Sequence, residues 1–218
     1  MLVMAAAKGP AFVVPTAAAR QGPDKAVENA RRWFNRFGLL LEELRVLNRW
    51  NSNSKDLAEL ARGGGFFYLV GGDPGLVVQV LKDSRVWSAI FEAWRGGAVL
   101  AGSSAGAMAL CSHTLIRASW PDRTVRRPWD ALGVVPNTAV LPHYDAFGQR
   151  WVESAQRELP RVTLLGIDER SAAIWNADGW RAAGPGAITV IEGARSTRFA
   201  SGAKIAGLPE PVRMLPHC

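Results

Sequence analysis

The pentapeptide Gly102-Ser103-Ser104-Ala105-Gly106 has the Gly-x-Ser-x-Gly spacing of a nucleophile elbow. In such a turn a strand changes abruptly into a helix, and the two glycines remove the steric obstacles to the bend. The Ser104 hydroxyl would then be exposed, and the amide of Ala105 would face the same space at the start of the helix. The spacing therefore predicts a serine nucleophile and one donor of an oxyanion hole.

The residues around this turn fit the strand and helix that an elbow requires. Ala98 to Ala101 is a short apolar run typical of a buried strand, and Met108 to Cys111 continues as a small, apolar helix. A second glycine turn, at Gly71 and Gly72, follows the β-prone segment Phe66 to Val70. Both turns would lie at the carboxyl end of a parallel sheet, so the Gly72 amide is a candidate second oxyanion donor.

A serine nucleophile needs a general base, and the sequence contains three histidines. His113 follows Ser104 by nine positions and is expected on or just beyond the same helix, whereas His217 lies in the tail. His143 comes at the end of a β-prone run, where parallel sheets hold catalytic groups. His143 is therefore the best candidate for the base.

The third member of such a site is a carboxylate that fixes the histidine tautomer and stabilises the imidazolium. Asp122 lies between the nucleophile and the base in the chain and is the first choice. Asp130 and Glu169 remain alternatives.

The composition indicates one soluble domain over residues 1–218, with 48% hydrophobic and 21% charged residues. The two cysteines and three histidines have no disulfide or zinc-site spacing, so we expect no metal and no cofactor. No apolar stretch reaches the roughly 18 to 20 residues that cross a membrane, and the start of the chain lacks a signal-peptide core. A cytoplasmic protein is expected.

The net charge of +7 suits an anionic partner. The one local concentration of arginines is formed by Arg117, Arg123, Arg126 and Arg127, which either lie in a solvated loop or attract an acidic substrate. No RNA-binding signature, Cys/His finger or aromatic platform accompanies them, so we expect no nucleic-acid partner.

The order of segments predicts the fold class. Strands alternating with helices up to the elbow indicate an α/β protein, with a mainly parallel sheet covered on both faces as a three-layer sandwich. From about residue 162 the pattern changes to short β-prone pieces, at Val162 to Ile167, Ala172 to Trp175 and Ala187 to Ile191. These pieces predict a small C-terminal β meander within the same domain.

Several motifs, taken in order, resemble the dipeptidase E and cyanophycinase family of serine peptidases, relatives of class I glutamine amidotransferases in which serine replaces the nucleophilic cysteine. They are Val13 to Thr16, Leu69 to Asp73, Gly97 to Ala107, Leu132 to Val135, Pro142 to Tyr144, Gly166 to Glu169 and Gly186 to Val190. The resemblance implies a flavodoxin-like, amidotransferase-like sandwich. It also implies Ser104 as nucleophile, His143 as base, an acid between them that favours Asp122, and oxyanion donors at Gly72 and Ala105.

The same resemblance implies a serine peptidase that hydrolyses small peptides through an acyl-enzyme on Ser104. Relatives of dipeptidase E cut after an N-terminal aspartate, so the substrates would include aspartyl dipeptides. An arginine beyond the base would bind the acidic group, and Arg150 and Arg157 are the candidates. A monomer and a homodimer are both compatible with the sequence.

Two other functions remain open. An esterase of the α/β-hydrolase fold shares the elbow and the chain order of serine, aspartate and histidine, but the 39 positions from Ser104 to His143 leave little room for that fold. A non-enzymatic, amidotransferase-like binding module is the second alternative, against which the intact serine and histidine argue.

Overall fold

The computed structural model describes residues 9–117 and 125–212. The chain divides into two compact units, residues 1–107 and 108–218. The predicted single domain over the whole chain stays a prediction. No helix in the described ranges combines the length and apolar character needed to span a bilayer.

The first unit contains a four-stranded, fully parallel sheet in the order β2-β1-β3-β4. All four residues of β1 are buried, as expected for a strand in a parallel sheet with both faces covered. The strands are β1 (Ala11–Val14), β2 (Leu41–Glu43), β3 (Phe66–Leu69) and β4 (Val99–Gly102).

Helices connect these strands, and short polar side chains set where several of them begin. Ser54, Asp73 and Ser84 each accept a hydrogen bond from a backbone amide three residues further on, which satisfies an otherwise unpaired donor of the first turn. The helices are α1 (Pro23–Asn35), α2 (Arg49–Ser52), α3 (Lys55–Arg62), α4 (Pro74–Leu81), α5 (Arg85–Arg95) and α6 (Ala105–Leu110), and a 3-10 turn covers Thr16–Ala18.

The second unit contains a six-stranded mixed sheet in the order β12-β11-β8-β7-β5-β6 and a separate hairpin of β9 and β10. Strand β7 is parallel to both β5 and β8, and the other pairs are antiparallel. The strands are β5 (Cys111–Arg117), β6 (Arg126–Asp130), β7 (Val135–Pro142), β8 (Thr163–Ile167), β9 (Ala172–Asn176), β10 (Gly179–Ala183), β11 (Ala187–Glu192) and β12 (Arg195–Ala200). A 3-10 turn at Gly148–Trp151 leads into α7 (Val152–Glu158).

The predicted α/β class, with its parallel sheet and added C-terminal strands, is confirmed. One boundary was wrong: the helix after the elbow ends at Leu110, and Cys111 begins β5 instead of continuing the helix. His113 therefore lies on a strand. The β-branched Thr114 and Ile116 favour a strand there, and a short apolar run does not by itself distinguish helix from strand.

Candidate active site

Ser104 lies at the turn between β4 and α6, with a left-handed backbone φ of 47°. A residue with a side chain adopts this conformation only at a cost, so the surrounding structure must hold it there. The helix lies so close to β3 at Gly106 that a Cβ there would overlap the backbone of Leu69. The pentapeptide thus forms a strained strand-to-helix turn pressed against the neighbouring strand.

The glycine turn after β3 lies beside the serine. A Cβ on Gly71 would lie 3.3 Å from the Ser104 Cβ, which is closer than an ordinary contact. A side chain at position 71 would therefore have to displace Ser104 slightly. Gly72 has a φ of 145°, and a Cβ there would overlap the backbone of Ala17. The chain therefore needs glycine at 72 in order to pass next to the 3-10 turn at Thr16–Ala18.

Tyr68 supports the elbow, a role that no sequence motif indicated. Its hydroxyl lies 2.7 Å from the Ser103 Oγ, and its ring packs edge-on against Phe34 at a centroid distance of 4.9 Å. Burial raises the pKa of Tyr68, so the phenol keeps its proton at neutral pH. The residue next to Ser104 is therefore tied to β3 by a side-chain hydrogen bond.

His143 occupies a second strained turn, at the end of β7. Its φ is 48°, and its carbonyl oxygen accepts hydrogen bonds from the amides of Ala146, Phe147 and Gly148, at 3.0, 2.9 and 3.0 Å. The Phe147 ring stacks on the imidazole with a centroid distance of 5.0 Å and an interplanar angle of 23°. The backbone and one aromatic ring together fix the position and plane of this histidine.

Glu169 contributes a carboxylate that contacts His143. Its Oε1 lies 3.2 Å from the Nδ1 of His143, and its own amide donates to the Oδ1 of Asp145 at 2.9 Å. Glu169 follows β8, which runs parallel to β7, so the two residues leave the carboxyl ends of neighbouring strands. The sheet therefore brings together two residues that are 26 positions apart in the sequence.

The neighbouring Asp168 holds this end of β8. Its side chain is buried, and its Oδ2 accepts hydrogen bonds from the amide of Ala187 at 2.9 Å and from Arg198 Nη2 at 2.8 Å. The amide of Asp168 in turn donates to the Ala187 carbonyl. These bonds fasten the segment that carries Glu169 to β11.

The other candidate carboxylates have different surroundings. Asp122, the first choice from the sequence, lies outside the described residues. Asp130 lies at the end of β6 with its Oδ1 3.7 Å from the Nε2 of His113. Of Asp130 and Glu169, the two candidates that lie among the described residues, Glu169 contacts His143.

Both arginines proposed from the sequence are exposed. Arg157 forms an ion pair of 2.9 Å with Glu153, one turn earlier on α7. Arg150 lies in the 3-10 turn before that helix. Arg157, one of the two arginines proposed to bind the substrate, is therefore already paired with a carboxylate of the protein.

Cys111 has the environment of an inert thiol. It is buried, and this burial raises its pKa to about 12, so it carries no nucleophilic thiolate at neutral pH. Within the ranges that the structure covers, no three His, Cys, Asp or Glu side chains are grouped so that they could hold a metal ion.

Comparison with known proteins identifies the family. The family model of peptidase family S51 matches residues 3–181, which is most of the chain. This chain belongs to peptidase family S51. The resemblance to dipeptidase E and cyanophycinases that the motif order indicated is thereby confirmed.

Individual S51-like proteins show how far the similarity extends. A cyanophycinase of Trichormus variabilis is 32% identical over 133 residues, which cover 57% of this chain and 44% of the cyanophycinase. A cyanophycinase of Geminocystis herdmanii is 27% identical over 159 residues, covering 70% and 58% of the two chains. This S51 chain therefore matches only about half the length of these curated relatives.

A solved structure resembles the S51 chain over more of its length. The crystal structure of a peptidase from an acI-B1 Actinobacterium superposes with a TM-score of 0.75 at 27% sequence identity. The superposition covers 89% of this chain and 82% of the other. The α/β fold is therefore shared with a protein described as a peptidase.

Proposed function

We propose that the protein is a serine peptidase that hydrolyses small peptides through an acyl-enzyme on Ser104. Its general base is His143, and Glu169 orients and stabilises that base. The contact between His143 Nδ1 and Glu169 carries the proposal, because a carboxylate on one ring nitrogen prepares the other nitrogen for proton transfer. Membership of family S51 and the strained turn at Ser104 support the same reading.

The reaction would proceed in two halves. In the first, the Ser104 Oγ attacks the peptide carbonyl carbon while the Nε2 of His143 takes its proton. The amides of Gly72 and Ala105 would stabilise the oxyanion, and Glu169 would stabilise the imidazolium. The tetrahedral intermediate then collapses, the peptide C–N bond breaks, and His143 gives its proton to the leaving amine.

The second half regenerates the serine. His143 removes a proton from a water molecule, which attacks the carbonyl carbon of the acyl-enzyme. The ester bond to Ser104 breaks, the serine oxygen regains a proton from His143, and the carboxylic acid product leaves. The proposal needs no metal and no cofactor.

Aspartyl dipeptides are the substrates that we propose. The net charge of +7 favours an acidic ligand, and the family resemblance implies cleavage after an N-terminal aspartate. The predicted cytoplasmic location and the monomeric or homodimeric state remain parts of this proposal.

A fluorophosphonate probe tests the proposal, because it phosphonylates only activated serines. We expect wild-type protein to be labelled at Ser104 and to cleave an aspartyl dipeptide, and Ser104→Ala to lose both. Ser196→Ala is the control, since it removes an exposed hydroxyl on β12 and should keep the labelling site. Turnover of p-nitrophenyl esters without any peptide cleavage would instead favour the esterase, and absence of labelling would favour the binding module.

A further inference from the structure

Two arginines of the second unit lie directly opposite each other on neighbouring strands. Arg117 on β5 and Arg126 on β6 are register partners in an antiparallel pair. Like charges directly opposite each other repel. The two guanidinium groups therefore make this part of the sheet locally positive, which would attract an anion.

Arg126 is also partly withdrawn from water. Its Cζ lies 4.0 Å from the centroid of the Trp151 ring, which is a cation–π contact. Its Nε is buried and has no hydrogen-bond partner, and no acidic side chain of the described residues forms an ion pair with it. Burial and the charge of Arg117 both lower the pKa of Arg126, yet an arginine keeps its proton. The described part of the molecule therefore holds a cation without a counter-ion.

A continuous set of aromatic contacts connects this cation to the candidate base. The Trp151 ring lies 5.5 Å from the ring of Phe147, and Phe147 stacks on His143 at 5.0 Å. Arg126 is thus separated from the imidazole by only two aromatic rings. An anion bound by Arg126 would therefore lie on the same part of the second unit as His143.

We propose that Arg126, stacked on Trp151, binds a carboxylate of the peptide substrate and gives the enzyme its preference for acidic peptides. The planar guanidinium offers two parallel N–H donors that match the two oxygens of a carboxylate. The bound carboxylate supplies the missing counter-ion and relieves the repulsion from Arg117. This inference rests on the proposed peptidase function and names a different residue from Arg150 and Arg157.

Kinetics on a matched pair of substrates test the assignment. The pair consists of a dipeptide with an N-terminal aspartate and the same dipeptide with asparagine, which have nearly the same shape but differ in charge. We expect Arg126→Met to lower kcat/KM for the aspartyl peptide about 10- to 100-fold, the range of a hydrogen bond to a charged group. The asparaginyl peptide should change less than about twofold.

Arg127→Met is the control, because Arg127 is the next residue of the same strand and its side chain lies on the opposite face. It removes the same charge from the protein and should leave the substrate preference unchanged. Equal losses on both peptides with Arg126→Met would mean that the arginine only supports Trp151, and this would overturn the proposal. An unchanged preference would overturn it as well.

A binding measurement keeps this test separate from the peptidase function. The Nε–H resonance of Arg126, assigned by its absence from the Met variant, should shift when N-acetyl-aspartate is added and not when N-acetyl-asparagine is added. If neither compound shifts this resonance, the proposed carboxylate site is overturned, even if Ser104 is labelled normally. Conversely, a shift in a protein that no fluorophosphonate labels would contradict the peptidase function and leave an anion-binding site.

Discussion

At the scale of single residues, the proposed chemistry depends on how the imidazole of His143 is held. Glu169 contacts the Nδ1 of His143, and the amide of Glu169 is itself bound by Asp145. Phe147 covers one face of the ring. The tautomer of His143 and the plane of its ring are therefore set by two different kinds of contact.

Replacing Glu169 by glutamine should remove the charge and keep the shape of the side chain. We expect kcat to fall by roughly 100- to 10,000-fold with little change in KM, because the carboxylate acts on the imidazolium that forms during the reaction. Steady-state kinetics on an aspartyl dipeptide provide the measurement. Asp130→Asn, a change beside the other described histidine, serves as the control and should keep wild-type kinetics.

Asp122→Asn belongs to the same experiment, because Asp122 was the first choice from the sequence. If Asp122→Asn lost activity while Glu169→Gln kept it, the assignment of Glu169 as the orienting acid would be refuted.

At the scale of elements, the elbow depends on how closely α6 approaches β3. Gly106 on the helix has no room for a Cβ because the backbone of Leu69 fills that space. The amide of Ser103 also donates to the Leu69 carbonyl at 3.1 Å. The end of β3 thus holds both Ser103, which precedes the proposed nucleophile, and the helix after it.

Gly106→Ala should push the helix away from β3. We expect a loss of about 1 to 3 kcal/mol in the free energy of unfolding, typical of overpacking in a rigid core, together with slower labelling of Ser104. Urea denaturation and the rate of fluorophosphonate labelling give the two measurements. Gly63→Ala is the comparison, because a Cβ there would lie 3.6 Å from its nearest neighbour, an ordinary contact. Equal stability of the two variants would contradict the role given to Gly106.

At the scale of the whole molecule, the net charge of +7 should attract acidic peptides before they bind. Salt screens such attraction, since the Debye length falls from about 10 Å at 0.1 M to about 3 Å at 1 M. We expect kcat/KM for an aspartyl dipeptide to fall several-fold over this range, while the asparaginyl peptide changes much less. Stopped-time assays at a series of NaCl concentrations measure both values. A common salt dependence would show that the charge does not steer the substrate.

The features that could be predicted from the sequence are those that short segments determine. The strained turn at Ser104 depends on glycines within two residues of it, and the strands around it are apolar runs between glycine turns. His143 was proposed as the base because a β-prone run ends there and the other two histidines were weaker candidates. In each case the information lies within about ten residues.

The remaining features depend on which strands are neighbours. Glu169 meets His143 because β8 pairs with β7, whereas the choice of Asp122 from the sequence rested on its position between Ser104 and His143. The pairing of Arg117 with Arg126 likewise requires the register of β5 and β6. No sequence motif points to Tyr68, because its role depends on a hydrogen bond to a residue 35 positions away. Strand order and register are set by packing of the whole sheet, which a single sequence does not display.

The left-handed turns at Ser104 and His143 also affect the cellular abundance expected for inactive variants of this protein. Each residue occupies a conformation that costs of order 1 to 3 kcal/mol and that glycine would adopt freely. Changing either position to glycine removes the chemistry and relieves strain at the same time. Quality-control proteases recognise unfolding and not lost activity, so these inactive copies are expected to persist at normal abundance and compete for the same peptides.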